Sequence, residues 1–346
     1  MAKMGSSWWA PHRHTDRRPA LLSRGRIKKA VVSHLESQGF IEVECGALAV
    51  SPGNEAHLSA FATEAITPDG VGRPLYLHTS PEFSCKKLLT AGETKIFDFA
   101  RVFRNRESGP LHALEFTMLE WYRSGEPYTA VIDDCLDIVW LGSEVAATGQ
   151  YTYKDRVCMP HMPAERLTVA EAFSRHAGID LLATLSPEGE GDREALAEAA
   201  RVAGFEPAES DSWSDIFSKI IVTIEPKLGV PAPTILYEYP RCEAALARAT
   251  AHDPRVAERF ELYVCGVEIA NGFGELTDPV EQRARFETEM AERERLYGER
   301  YPIDEDFLDA LGQMPQASGV ALGFDRLVML AVGAPSLEDV IWTPTP

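Results

Sequence analysis

An arginine, an aromatic ring, a carboxylate and a phenol stand close together between Val102 and Tyr122, as Arg104, Phe116, Glu120 and Tyr122. The stretch reads as a strand, a polar loop and a second strand, with Arg104 entering the loop and Phe116 leaving it. Such a hairpin can hold a nucleoside triphosphate, the guanidinium meeting phosphate and the ring meeting a base. Side chains alternate between the faces of a strand, so Phe116, Met118, Glu120 and Tyr122 share one face. A purely structural hairpin is the alternative, although a structural strand more often keeps such a face apolar.

Three further sets lie toward the C-terminus. In the segment from Arg259 to Ile269, Cys265-Gly266 is a turn signal. A two-residue turn there puts Tyr263 opposite Glu268, with Glu261 as a diagonal neighbour on one face. Two carboxylates facing one site suit a magnesium ion on phosphate oxygens; a surface hairpin with solvated glutamates is the other reading. Asn271-Gly272-Phe273-Gly274-Glu275 suggests a bulge or a close backbone approach to a ligand, with Glu275 a candidate for an ammonium group. Alternatively it is the loop before a charged helix. Gly319 to Gly323 is a small-residue strand that lets a ligand lie close. Arg326 falls in the first turn of the next helix, a good anion site unless it merely marks a helix start. His112 alone is compatible with an ordinary loop histidine.

The elements that carry these residues alternate in type. Helical spacing runs from Leu21 to Gln38 and stops at Gly39. Short strands follow at Phe40–Val43 and Leu75–His78, then a helix from Pro81 through Leu89. Ile96–Arg104 and Leu114–Arg123 are the hairpin strands. Helices are expected over Pro127–Ala147, Thr168–Ala177 (with Thr168 as N-cap) and Ile216–Leu228. The acidic, Ala-rich stretch Leu185–Ser214 reads as exposed helices and turns. Thr234–Tyr239, Arg259–Val264 and Val267–Asn271 are strands, Val280–Leu296 is a charged helix, and Asp325–Leu330 is a helix after the Gly319 strand. No repeat or flexible linker divides the chain, so one α+β domain with a helical insertion is the simplest organisation.

Bulk properties narrow the function. A length of 346 residues with 45% hydrophobic composition fits a large enzyme core. The net charge of -19 argues against a broad phosphate-backbone footprint but leaves room for a local triphosphate pocket. Six scattered cysteines without a Cys-x-x-Cys pair suggest neither zinc nor a disulfide framework, and fit a cytoplasmic protein. No secretory signal and no membrane-length apolar run is present.

Taken together, Phe103-Arg104-Asn105 with Glu115 to Tyr122 resembles motif 2 of the class II aminoacyl-tRNA synthetases, and Gly319 to Leu330 resembles motif 3. The likeness is to the lysyl branch, and within it to the short paralogues that attach lysine to elongation factor P. Thr79-Ser80-Pro81-Glu82, Glu261, Glu268 and Asn271 to Leu276 fall where that branch keeps amino-acid and metal residues. The likeness runs from about Trp9 almost to the C-terminus. It implies a catalytic core of antiparallel sheet flanked by helices, spanning 21–346 after a tail at 1–20. The helical insertion lies at about 127–230, and a homodimer is usual.

The resemblance also implies roles. Arg104 would bridge the amino-acid carboxylate and the α-phosphate of ATP. Phe116 and Arg326 would sandwich adenine, His112 would touch the outer phosphates, and Glu261 and Glu268 would hold Mg2+. Ser80 and Glu82 would take the substrate's α- or β-ammonium end, and Glu120, Tyr122 and Glu275 the ε-ammonium. Asn271, Phe273 and Ala321 would shape the pocket. The substrate would be lysine or (R)-β-lysine, and elongation factor P the acceptor. With only about twenty residues before the first helix there is no room for a five-stranded anticodon-binding barrel, so tRNA is not expected. A catalytically silent synthetase-like protein that binds amino acid or nucleotide and regulates a partner is the alternative, with Arg106 the feature favouring it, and a tRNA-charging lysyl synthetase is a more distant one.

The sequence departs from the family in places. Arg106 stands where the family has glutamate, with Glu107 next to it as a substitute for nucleotide binding. His112-Ala113-Leu114 replaces His-Asn-Pro, and Cys45-Gly46 stands at the motif 1 proline. Gly274 replaces a frequent histidine. Ala321 replaces the glycine of true lysyl-tRNA synthetases, a methyl that would favour a β-amino isomer.

Overall fold

The computed structural model describes residues 7–244 and 246–345. In chain order the elements begin with α1 (Pro11–Ser37), β1 (Ile41–Glu42), β2 (Leu48–Ala49), β3 (Phe61–Ile66) and β4 (Gly72–Leu77). Next come α2 (Glu82–Thr90), β5 (Lys95–Phe103), β6 (Glu115–Ser124) and α3 (Tyr128–Ala146). β7 (Tyr151–Tyr153), β8 (Arg156–Cys158), β9 (Glu165–Thr168), α4 (Val169–Ala177), α5 (Arg193–Val202) and α6 (Trp213–Ile224) follow. The chain closes with β10 (Thr234–Pro240), β11 (Val256–Val264), β12 (Val267–Gly274), α7 (Pro279–Tyr297), α8 (Glu305–Leu311), β13 (Ala317–Gly323) and α9 (Phe324–Val332).

The fold class is α+β. Its centre is an eight-stranded sheet ordered β1-β5-β6-β13-β12-β11-β10-β9. The outer pairs β1/β5 and β9/β10 are parallel, and the five pairings between them are antiparallel. One face is sealed by α1, α3 and α9. Ile27, Val31 and Leu35 meet Ile138 and Val139 of α3, Leu327 and Leu330 of α9, and the sheet's Leu119 and Trp121 in one apolar core. That alternation along β6 leaves Phe116, Met118, Glu120 and Tyr122 on the opposite face, as period-two spacing requires.

The Cys265-Gly266 turn forms as expected. Both residues have positive φ, 55° and 70°, the backbone of a two-residue hairpin whose twist matches its strands. Tyr263 pairs with Glu268. Asn271 to Gly274, expected as a bulge or loop, instead continues β12. The irregularity falls earlier, between Leu262 and Tyr263 of the partner strand, leaving Ile269 as the extra residue. Gly272 is required by its neighbours: a Cβ there would lie 2.5 Å from the Phe260 ring and 2.8 Å from the Gly319 carbonyl oxygen.

Two other expectations are revised. Helix α1 starts at Pro11, inside the stretch expected as a tail, and runs through Pro19; residues 1–6 lie outside the described residues. Its early turns are held from outside, because the buried Arg17 guanidinium donates to the Ile341 carbonyl and His14 contacts Trp342. The stretch 185–214 is more than solvated surface. Leu196, Ala197 and Ala200 of α5 are fully buried in a second core with Phe173, Trp213, Phe217 and Ile220. Of the expected insertion, α3 packs in the main core, whereas α4 to α6 build the second core against Leu236 and Tyr263 of the sheet.

Candidate active site

The open face of β6, β13, β12 and β11 floors a cavity of about 320 Å³. Every candidate residue named from the sequence lines it: Ser80, Glu82, Arg104, Glu107, His112, Phe116, Glu120, Tyr122, Glu261, Glu268, Asn271, Phe273, Glu275, Ala321 and Arg326. Register explains the convergence. Ala321 sits between Glu120 on β6 and Asn271 on β12, and Asn271 is opposite Glu261 on β11. Gly319 has no side chain to spare: a Cβ would stand 2.3 Å from the Tyr122 ring and 2.6 Å from a Glu275 carboxylate oxygen.

One end is acidic and deep. Tyr122 donates its hydroxyl to Glu120 Oε2 at 2.8 Å, and Ser80 Oγ donates to Glu120 Oε1. Burial, with Glu82 adding to it, pushes the Glu120 carboxyl up to about 8. Lys86, absent from the sequence reading, places Nζ 2.6 Å from both Glu82 and Glu275. Burial acts to lower Lys86, but the two carboxylates outweigh it and hold the ammonium charged. Burial raises Glu275 to about 7 against the pull of Lys86. The Glu275 carboxylate is therefore already engaged by an internal ammonium. Lys86 lies four residues after Glu82, the helical spacing that puts both on one face, so α2 carried the signal.

The other end is cationic. The Arg104 guanidinium lies 5.4 Å from the centre of the Phe116 ring and 4.0 Å from Glu107, and its Nε is buried without a partner. Arg326 donates to the carbonyl oxygens of Leu111 and Glu268 and, at 3.1 Å, to His112 Nε2. An arginine only donates, so His112 Nε2 is an acceptor and the neutral ring carries its proton on Nδ1. Burial and then Arg326 lower the His112 pKa, which keeps that state. Asp325, beside Arg326 on the cavity wall, is tied to its surroundings: it accepts from the Thr117 backbone at 2.8 Å and pairs with Arg24, fixing α9 under the site.

Between the two ends sit Glu261 and Glu268. Arg259, also missed from sequence, donates to Glu261 at 2.7 Å, and the Tyr263 hydroxyl donates to it at 2.6 Å. Burial, followed by the charge of Glu261, raises Glu268. This repulsion makes the pair receptive to a divalent cation, and one or two carboxylates completed by phosphate oxygens is how magnesium is usually held. Among the described residues no group of three or more His, Cys, Asp or Glu side chains forms a closed metal cage. The Asn271 side-chain oxygen, buried and unpartnered, faces the same space.

Arg106 lies outside. At φ 64° its backbone turns left-handed, and its side chain, 60% exposed, lies 3.8 Å from Glu299 and over Tyr297. Glu107 lines the cavity in its place. Glu55 is a further wall residue that no sequence signal marked.

A cavity with an acidic end and an arginine-rich end, floored by antiparallel strands, can take an amine at one end and an anion at the other. The chain belongs to the class II tRNA synthetase family (D, K and N), whose model matches residues 7–345. It is 39% identical over 341 residues to the elongation factor P--(R)-beta-lysine ligase of Avibacterium paragallinarum, covering 98% of each chain. The ligases of the same name from Salmonella paratyphi B and Salmonella schwarzengrund are each 39% identical over 328 residues, 93% of this chain and 94% of theirs.

Proposed function

We infer that this protein is an AMP-forming ligase: it activates lysine or (R)-β-lysine with ATP and passes it to the ε-amine of a lysine on elongation factor P. The observation that carries the reading is one cavity lined by Glu120, Tyr122 and Glu82 at one end, which suits a diamine, and by Arg104, His112 and Arg326 at the other, which suits a triphosphate. The names of relatives matched over nearly their whole length supply the acceptor.

The substrate carboxylate is itself the nucleophile toward the α-phosphate, so this step needs no general base. Arg104 orients that carboxylate and offsets charge on the phosphorus, and Arg326 with His112 holds the outer phosphates. Phe116 supplies the stacking face for adenine, with Glu107 at its rim. Glu261 and Glu268 would hold magnesium, which supplies positive charge to the departing pyrophosphate when bound. Asn271, Phe273 and Ala321 set the pocket's shape beside the amino group, and the Ala321 methyl favours the β-isomer. The same reading carries a homodimer in the cytoplasm. The six cysteines are free thiols, in keeping with that location.

ATP–pyrophosphate exchange with each lysine isomer, followed by transfer to elongation factor P, tests the reading. Exchange faster with (R)-β-lysine and label recovered on the factor are expected. Arg104→Ala should lower exchange by about 10²–10³-fold, the usual loss for a donor aimed at developing charge, while leaving the melting temperature near that of the parent. Exchange unaffected by that substitution would defeat the assignment.

A further inference from the structure

A second cavity of about 400 Å³ adjoins the first. It lies between the segment 46–55 that carries β2, the start of α2, the turn after β10 and the face of α7 bearing Ala284 and Thr288. The two cavities share Glu55, Ser80, Glu82 and Leu246 as a common wall, so an occupant of the second reaches the amino-acid end of the first. Adenylate formation does not call on it, since the residues assigned to ATP and amino acid all line the first cavity.

Its chemistry is specific. Pro52, Phe83, Leu246 and Phe286 offer an apolar passage for a methylene chain. Glu55 and Glu289 are on its wall, and Glu289 accepts from the Ala56 backbone at 2.9 Å, which fixes the loop carrying Glu55. Gln282 also lines it and is only 1% exposed, yet neither its amide oxygen nor its nitrogen has a protein partner. A buried amide left unpaired is costly, and one donor with one acceptor is the complement of a peptide group.

We propose that this second cavity receives the acceptor protein's lysine, its backbone met by Gln282 and its side chain passing to the shared wall, where Glu55 takes a proton from the incoming ammonium. The proposal rests on the acceptor reading given above. An ammonium has no lone pair, so one proton must leave first, to the Glu55 carboxylate. The amine nitrogen then bonds to the adenylate's carbonyl carbon, the bond from that carbon to the phosphate oxygen breaks, and AMP leaves with the electron pair. The nitrogen's second surplus proton leaves with the AMP phosphate or to water, giving an amide.

Glu55 is tuned for this. The Glu55 side chain is exposed to the cavity, so the protein packed around it raises its carboxyl only modestly; Glu82 and Glu289 add to the rise, and Arg104 and Arg259 oppose it. It is thus ionised at neutral pH and more basic than an ordinary glutamate, as a proton acceptor should be.

The test separates the two half-reactions in the full chain. Ala284→Trp and, one turn along, Thr288→Trp place bulk at exposed positions of this wall, away from the first cavity. Each should keep ATP–pyrophosphate exchange within about twofold and lose transfer to elongation factor P by at least about tenfold. Hydroxylamine, small enough to bypass the block, should still capture the activated lysine. Glu55→Gln should lower the ratio of transfer to exchange by about 10²-fold, the scale of general-base catalysis, and remove the rise of transfer rate with pH in the mildly acidic range. Normal transfer in both tryptophan variants overturns the proposal. So does loss of exchange in both, which would make the cavity part of the adenylate site. The underlying reading fails differently: unaltered protein that does not exchange defeats activation, and exchange without transfer to the factor defeats the acceptor.

Discussion

Glu120 carries two hydrogen bonds from Ser80 and Tyr122 and still sits near 8, because burial outweighs both donors. In the empty pocket it is therefore protonated at neutral pH, and a substrate ammonium must displace that proton. The sign follows: a proton competes with the ammonium below pH 8 and ceases to compete above it. KM for lysine in the exchange reaction should rise as pH falls from 8 to 6, by up to about tenfold per unit. Glu120→Gln should weaken binding by about 10–100-fold, the value of a charge-assisted hydrogen bond, and flatten the dependence. A parent enzyme whose KM is constant over that range would sink this account. Glu107 belongs at the same scale. The left-handed backbone at Arg106 turns one side chain out and brings the next in, which supports the proposal that Glu107 stands in for the family's glutamate.

Helix α2 shows what an element adds to its residues. It brings Glu82 and Lys86 to the acidic end together, and Lys86, 1% exposed, neutralises part of a pocket that otherwise gathers Glu82, Glu120 and Glu275. Lys86→Met leaves Glu82 and Glu275 without their shared cation. Breaking a buried pair by removing one partner costs about 3–5 kcal/mol, to be read as a lowered urea midpoint with an unchanged slope. Saturating lysine should restore part of the loss, since its ammonium can enter the same field; no change in midpoint would show that the pair is dispensable. Much of this site was legible because alternation is local: β6 placed Phe116, Met118, Glu120 and Tyr122 on one face, and Cys265-Gly266 set the β11–β12 register. What stayed hidden depends on distant partners. Arg259 is buried against Tyr239 and Glu261, and Glu55 sits on a loop without periodicity. Likewise α1 continues through Pro19, a sequence stop signal, because Arg17 anchors the preceding turns to Ile341. Of the small sheet of β2, β4 and β3, the end of β4 was read as the strand Leu75–His78, whereas β2 and β3 were missed because their side chains are mostly exposed and show no apolar alternation.

At the scale of the whole molecule, charge decides which polyanions approach. The chain carries 53 acidic against 34 basic residues. Its cavity guanidiniums are held close to carboxylates, Arg259 to Glu261, Arg326 to Glu268 and Arg104 to Glu107. One triphosphate accompanied by magnesium fits such an arrangement, because the cations act over a few ångströms. A tRNA needs many phosphates neutralised along an extended surface, and that sequence-independent term supplies most nonspecific affinity. A field of net charge -19 opposes it over roughly a Debye length, about 8 Å at physiological salt. Charging of lysine tRNA should therefore run at below about 1% of the rate of transfer to elongation factor P at physiological salt. Lower salt should not rescue it, because weaker screening strengthens repulsion as well as attraction. Parallel assays with labelled lysine, one acceptor each, at about 0.02 M and 0.15 M salt decide the matter. Comparable charging of tRNA, or charging that climbs steeply as salt is removed, would show a basic docking path that outweighs the acidic surface.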